Sequence, residues 1–508
     1  MKTKRLILKN KFFFTAFILV ALLIFSGCEK DLAPRPYSAL TPENFPKNET
    51  ELNTAVTGVY NSFKKQNVSR NWSTPYVYSQ GSMQLVGEVT TDEFFVNWGW
   101  EVLINFGFRP ETEEIAQFWF SAMPAITNAT MTIEMVKAAT YISEEKRNQL
   151  IAQLKCIRSI YAFDLYDMHG PIPIMTDPEV VMNIAVAQDY NPSRPTKEEY
   201  VSALETELLE ISDILPLSYD AGNFGRMTKG TAMTALLKLY MHEKQWQKAA
   251  DIAKRIMDLN YYQLQPKFTD IWSPSNEQNK EIIWGIAFIP GDAYGNWYLP
   301  SVLPGDFKGL APGGSDINYL SWNGFRMPWR VWDSFDPDDQ RRIPFVRHYW
   351  DGTKMVDGRS QWHMDENKGS LPMKMSIDPA VPGSITGTDY VVYRYADVLL
   401  YRAEALNELQ GPNAETFSII NTIRSRAGLD PIASTGLDKS ALRTRILQER
   451  QWELCFEGTR RQDLIRNGTF ISNAHSRGKS AAKDFHVLFP IPQEVINENP
   501  NVQQNPGY

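Results

Sequence analysis

Between Thr228 and Leu259 the apolar positions keep a helical period. Ala232, Ala235, Leu236, Leu239 and Tyr240 fall at i, i+3, i+4, i+7 and i+8, and after a polar break Ala249, Ile252, Ala253, Ile256 and Met257 repeat the spacing. The pattern predicts two amphipathic helices across a tight turn at Lys244 to Trp246. One such hairpin cannot bury its apolar face, so other helices must flank it.

The same period predicts helices over Glu49 to Phe63, Lys146 to Met168, Arg394 to Leu409, Asn413 to Ala427 and Lys439 to Arg466. Another follows the Thr196 cap, with the stripe Tyr200, Leu204, Leu208, Ile211 and Leu215. The stripe of the Lys146 helix is Leu150, Leu154, Ile157, Tyr161 and Leu165, and Gly170-Pro171-Ile172-Pro173 ends it. Glu111 to Ala139 reads as a helix pair broken near Pro124, because proline removes a backbone donor. The order Tyr240, Ala249, Ala253 matches the alternation of large and small residues in a tetratricopeptide-type hairpin.

Two stretches lose this period. Asn71 to Arg109 sets Trp72, Tyr76, Tyr78, Phe94, Phe95, Trp98 and Trp100 among small polar residues. Tyr261 to Thr388 is rich in Gly and Pro, holds eight of the fourteen tryptophans, and contains short strand-like pieces such as Glu281 to Phe288. An irregular insertion of this length inside a compact chain is more often functional than connective. The expected fold is mainly α: a tetratricopeptide-like helical hairpin array, an α/α superhelix, over 111–260 and 390–468, with a loop-rich lobe over about 70–110 and 261–389, all in one body, 49–508.

The amino terminus changes the picture of location. Lys2, Lys4, Arg5, Lys9 and Lys11 precede an uncharged run of 14 residues, Phe12 to Phe25, and then Ser26-Gly27-Cys28. That run is too short to span a bilayer but fits the centre of a secretory signal. The ending resembles a bacterial lipoprotein signal, with 1–27 removed and a lipid on Cys28; an ordinary signal with an incidental cysteine is the alternative. Glu29, Lys30 and Asp31 resemble the acidic cluster of surface-exported lipoproteins, which points to the outer membrane, facing the exterior. Four prolines between Asp31 and Pro46 make 28–48 an extended tether.

Losing the five basic residues of 1–27 moves the net charge from −7 to −12, which disfavours nucleic acid or an anionic membrane as partner. Cys156 and Cys455 sit in apolar helical patterns and read as buried thiols, with a disulfide between them as the sharper alternative.

Glu449, Glu453 and Glu457 fall at i, i+4 and i+8, with Arg450, Arg460, Arg461 and Asp463 close by. Paired carboxylates are the equipment of a glycosidase. Interleaved opposite charges on one helix are more simply an ion-pair lattice, each exposed pair contributing about 0.3–0.5 kcal/mol. Asp164 and Asp167 read the same way. His242-Glu243 lacks the second histidine of a zinc-protease helix, so neither metal nor cofactor is expected. Gly313-Gly314-Ser315 lacks the Gly-x-Ser-x-Gly frame and reads as a turn. Asp333 to Arg342, DSFDPDDQRR, is acid-rich but has no calcium-loop spacing, and reads as a solvated turn. No catalytic residue is expected.

The loop aromatics carry the functional case. A sugar ring has a face of weakly polar C–H bonds that packs on Trp or Tyr, and hydroxyls that suit planar partners such as Asn, Asp and Arg. Asn97, Trp98 and Trp100 offer that combination, as do Asn296, Trp297 and Tyr298, and Trp322, Asn323 and Arg326. Trp272, Trp284, Trp329 and Trp332 have apolar or helix-like neighbours and are assigned to the core.

Several segments together resemble the SusD/RagB family of outer-membrane glycan-binding lipoproteins. They are the start at Cys28, Arg158-Ser159-Ile160-Tyr161-Ala162 running to Tyr166 and Gly170-Pro171-Ile172-Pro173, the Thr228 hairpin, Tyr393 to Leu400, Asn421 to Gly428, Glu449-Arg450 through Asp463-Leu464, and Phe489-Pro490-Ile491-Pro492. The resemblance implies a right-handed array of helix pairs with a loop-rich lobe, a glycan ligand on the loop face and no catalysis. It also implies a TonB-dependent transporter of the SusC type as partner, which such proteins cover like a lid. The family's site aromatics follow no motif, so no site residue is carried over. A helix-repeat adaptor that binds protein in its groove and a glycoside hydrolase are the rival readings.

Overall fold

The computed structural model describes residues 45–64, 82–97, 99–291, 295–314, 317–360, 369–378 and 383–508. The signal, Cys28, most of the tether and Trp98 lie outside them. The chain divides after Lys47, and Asn48–Tyr508 forms the large compact unit.

The main helices of that unit, in chain order, are α1 Glu49–Tyr60, α2 Glu113–Ala138, α3 Glu144–His169, α4 Lys197–Ile214, α5 Lys229–His242, α6 Trp246–Asp258, α7 Tyr395–Gln410, α8 Ala414–Arg426, α9 Lys439–Leu454 and α10 Arg460–Arg466. Their starts are written locally. The Ser143 side chain accepts from the Lys146 N–H, and Thr196 forms a reciprocal capping box with Glu199. Gly170 and Gly411, both at φ 75°, end α3 and α7. The predicted stripe of α3 is buried throughout, no member more than 1% exposed.

The opening hairpin is α5 and α6, with Lys244 at φ 54° in its turn. Its close approach to the following chain requires Gly230, where a Cβ would meet the Tyr262 hydroxyl at 2.0 Å. α5 packs on α3, α4 and α7, and α6 packs on α7. α9 lies against α7 and α10, so it supports the hairpin's neighbour. Cys156 and Cys455 are buried free thiols.

Two expectations about helices are corrected. α2 runs unbroken through Pro124, because the proline forfeits one backbone bond while Phe118, Trp119, Ala122, Ala125 and Ile126 around it are buried. Lys439 to Arg466 is two helices: Phe456 at φ 64° and Gly458 at φ 76° reverse the chain between α9 and α10.

Among the described residues the loop-rich lobe holds eight short strands: β1 Phe95–Val96, β2 Ile282–Ile286, β3 Phe325–Pro328, β4 Phe345–Val346, β5 His348–Trp350, β6 Met355–Asp357, β7 Gly369–Pro372 and β8 Tyr390–Arg394. They form a four-stranded sheet, β1-β3-β7-β4, and the pairs β2-β8 and β5-β6. β8 leads directly into α7, and Tyr395 N donates to Glu281 O at 2.8 Å.

Where lobe and helices meet, the charges of α9 are buried, a correction to their reading as an exposed lattice. Arg394 Nη1 bonds Glu281 at 2.9 Å and Glu453 at 2.5 Å, and its Nε bonds Glu457 at 2.6 Å. Arg426 also pairs with Glu453, and Arg341 bonds Glu449 at 2.6 Å and Asp339 at 2.7 Å. The side chains of Glu281, Arg341, Glu449 and Glu453 are 0% exposed. Asp339 and Arg341 are thus interior, so DSFDPDDQRR is only partly a solvated turn. The surrounding guanidinium groups overcome the burial that would raise Glu453 and hold its carboxyl below the ordinary range. Asp167 is held down likewise, to about 2, despite burial, by Arg461 and His242.

Glu453→Gln removes the carboxylate shared by Arg394 and Arg426, leaves their buried charge under-compensated, and lowers unfolding free energy by about 3–5 kcal/mol. Glu210→Gln removes the exposed partner of Lys155 and changes it by less than about 1 kcal/mol. Equal denaturant midpoints for the two variants refute the joint.

Glu88 and Glu93, just before β1, are each 1% exposed and adjoin one another. Burial pushes Glu88 up to about 7, against a hydrogen bond with Glu93 that lowers it, and burial together with the Glu88 charge pushes Glu93 well above its ordinary value. A carboxyl raised on folding stabilises fully below its unfolded pKa, and that contribution is lost as pH rises through the folded value. The wild type therefore loses urea resistance between about pH 4.5 and pH 7, and Glu88→Gln flattens that decline. An unchanged decline in the variant places the titration elsewhere.

Candidate functional site

The extended stretch before β3 exposes alternate residues, Leu320 at 43% and Trp322 at 39%. It is fastened by backbone bonds: Trp322 N to Pro300 O at 2.6 Å, Gly324 N to Ser301 O at 2.8 Å, and Asn323 N to Leu303 O at 3.0 Å. From the other side Asn97 N donates to Gly324 O at 2.8 Å and Asn97 Nδ2 to Asn323 O at 2.9 Å. Asn323 takes the left-handed conformation, φ 52°, which asparagine tolerates. Beyond that turn Trp322 faces outward and Phe325 is fully buried.

Trp297, half-buried, stands just before the short helix Tyr298–Val302. Its indole stacks on Trp322 with centroids 5.7 Å apart and planes inclined by 17°. Two loop segments thus build one aromatic ridge at the surface, bordered by Asn97 and Asn323.

The remaining candidates support the ridge from within, and each is a correction. Trp100 is 8% exposed, turned inward by its own φ of 61° and set 6.4 Å from Phe325. Asn296 is 1% exposed: its Nδ2 donates to Thr388 O at 2.9 Å, and its Oδ1 accepts from Tyr298 N at 2.9 Å. Tyr298 is buried, with its hydroxyl on Pro372 O at 2.7 Å, and burial pushes its phenol up. Arg326 is fully buried on β3, between β1 and β7. It donates to Val302 O at 2.8 Å and Phe325 O at 2.6 Å, and to the Asn323 side chain. Burial lowers Arg326 to about 9, and its bonds tie the Trp297 segment to the Trp322 turn. Trp272 and Trp284 are core, as expected, whereas Trp329 and Trp332 are only half-buried.

The carboxylates that suggested glycosidase chemistry are committed elsewhere, since Glu449, Glu453 and Glu457 all pair with buried cations. The ridge offers stacking faces and amide groups, which is chemistry for holding a ring.

A family model described as "SusD family" matches residues 347–508, and one described as "Starch-binding associating with outer membrane" matches 32–241. The chain belongs to the SusD/RagB family. SusD-like protein P25 of Formosa agariphila is 26% identical over 95% of this chain and 96% of its own. Surface glycan-binding protein A from Bacteroides uniformis has a similar fold, with TM-score 0.75 at 22% identity, covering 90% of this chain and 99% of its own. Its namesake from Bacteroides thetaiotaomicron, solved in complex with laminarihexaose, gives TM-score 0.72 at 20% identity over 90% of this chain and 99% of its own.

In this SusD/RagB protein the ridge falls in 242–346, between the two matched spans. Sequence reasoning missed Leu320, which joins the exposed face beside Trp322. The signal was available, since Leu320 and Trp322 sit two apart in a stretch without helical period.

Substitution separates ridge from support. Trp100→Ala costs about 3–5 kcal/mol of unfolding free energy, as a large buried ring does, while Trp322→Ala stays within roughly 1 kcal/mol of wild type. Equal losses in the two denaturation curves would make Trp322 core.

Proposed function

We propose that this chain is a non-catalytic cell-surface lipoprotein that captures an oligo- or polysaccharide on the Trp297–Trp322 ridge and passes it to a TonB-dependent outer-membrane transporter of the SusC type. The observation that carries the reading is the ridge itself: two stacked indoles at the surface, held by backbone bonds and bordered by amides. Tryptophan faces packing against a sugar's C–H face require no acid or base, and the Asn323 amide nitrogen, its oxygen being taken by Arg326, stands beside them for a hydroxyl. The laminarihexaose complex of a protein of similar fold supports a glycan ligand.

The membrane side of the reading rests on Cys28 as the lipidated residue, on 28–48 as a tether, and on the outer-membrane wording of the matched family model. Delivery to a transporter follows from the family resemblance. The adaptor reading is the weaker, because α5 and α6 pack their apolar faces on α3, α4 and α7. The Trp98 site candidate remains part of this proposal by its position beside Asn97.

Isothermal titration of the full-length chain in detergent against a glycan panel tests the reading. At least one glycan binds, and Trp297→Ala and Trp322→Ala each weaken it roughly tenfold, the factor for about 1.4 kcal/mol of lost contact. Binding of a non-carbohydrate nutrient with no glycan bound sinks the sugar claim and spares the transporter claim. Cys28→Ser abolishes metabolic labelling by a fatty acid and releases the chain from the outer membrane; labelling that persists places the lipid elsewhere.

A further inference from the structure

Arg342 sits one residue past Arg341, which is locked into the buried ion cluster by Asp339 and Glu449. That anchoring fixes the Gln340–Arg342 turn and presents Arg342 to an open cleft of about 590 Å³. The Trp332 indole forms part of the wall. Its Nε1 donates to Phe345 O at 2.9 Å, and the Arg342 guanidinium lies 4.5 Å from its ring centroid.

The arginines around this cleft differ in one respect. Arg341 has its two carboxylates, Arg347 pairs with Asp357 at 2.6 Å, and Arg359 with Asp333 at 2.6 Å. Arg342 donates to Pro337 O at 2.7 Å and, among the described residues, has no carboxylate within ion-pair distance. A guanidinium laid on an indole is held in one plane and keeps its fork for a bidentate oxyanion. Two exposed apolar side chains, Leu310 at 51% and Ile343 at 62%, line the same cleft and give the body of a sugar ring something to pack against. Asp338 also lines it, so selectivity there comes from Arg342's fork geometry more than from net charge.

The cleft shares a loop with the ridge. That loop leaves the helix Tyr298–Val302, reaches Leu310, and returns to Trp322, and its tip is pinned to β5 by Lys308 N to Trp350 O at 2.7 Å and Trp350 N to Gly309 O at 2.8 Å. We infer that the Arg342 cleft is a second glycan-contact site, one that takes an acidic sugar unit by bonding its carboxylate or sulfate to Arg342. The inference rests on the ridge reading for its ligand class alone, and a long chain would touch both.

The test is titration of the full-length chain in detergent with polygalacturonate as the carboxylate probe, dextran sulfate as the sulfate probe and laminarin as the neutral probe. Arg342→Gln weakens binding of one charged probe by roughly tenfold or more, the scale of a lost hydrogen bond to an ion, and leaves laminarin binding and the melting temperature as they were. Arg342→Lys, which keeps the charge and loses the fork, falls between. The idea is overturned if neither charged probe binds, if Arg342→Gln changes no affinity, or if it weakens laminarin equally. If Trp322→Ala has no effect on any probe while Arg342→Gln does, the ridge reading fails and the cleft stands.

Discussion

The buried ion cluster between α9 and the loop-rich lobe is the constraint on which the rest depends. Removing charges from water costs several kcal/mol per ion, and only dense pairing offsets it. Here the pairing crosses the architecture: Glu281, Asp339 and Arg341 come from the lobe, and Glu449, Glu453, Glu457 and Arg426 from the helical side, with Arg394 at their junction. A guanidinium with fixed geometry accepts few arrangements of carboxylates, so the cluster sets the seating of the lobe more narrowly than apolar packing would. The short strands then have a fixed base from which to present loops.

That base explains how irregular chain can be rigid where it matters. The Trp297–Trp322 ridge lies on loops, yet five backbone or amide bonds and the Arg326 strut hold its segments. A surface already in its binding shape has less side-chain and loop entropy to lose on binding. Trp100, Asn296 and Tyr298 serve that shape from behind, which is why residues that look like ligand contacts in sequence are buried in the fold.

Much of the helical frame was legible because periodicity, caps and stops act over a few residues. The α3 stripe, its stop at Gly170 and the Thr196 cap could be read from neighbours alone. Pro124 misled because tertiary packing of α2 outweighed a single missing donor. Glu449, Glu453 and Glu457 misled because periodicity locates a charge on a helix without showing what the opposite face meets; their partners come from 341, 374, 394 and 426. The site was legible in composition and only partly in residues. A Trp beside an Asn marks a candidate, but its direction is set by backbone turns such as Asn323 and Trp100 at positive φ, which composition does not encode.

The split between matched and unmatched spans follows the same physics. Arg394, Arg426, Glu449, Glu453 and Glu457 all lie in 347–508, where the family model matches, whereas Trp297, Trp322 and Arg342 lie in the stretch between the two models. The helical half of the joint thus falls in a matched span, whereas its lobe half, Glu281, Asp339 and Arg341, shares the stretch between the models with the ridge. A frame fixed by a buried joint tolerates change in the loops it holds, since new side chains on a clamped backbone leave the joint's charges paired. Solved proteins near 20% identity share this fold at TM-scores above 0.7, as expected if the frame persists while exposed loop residues such as Leu320 and Trp322 vary.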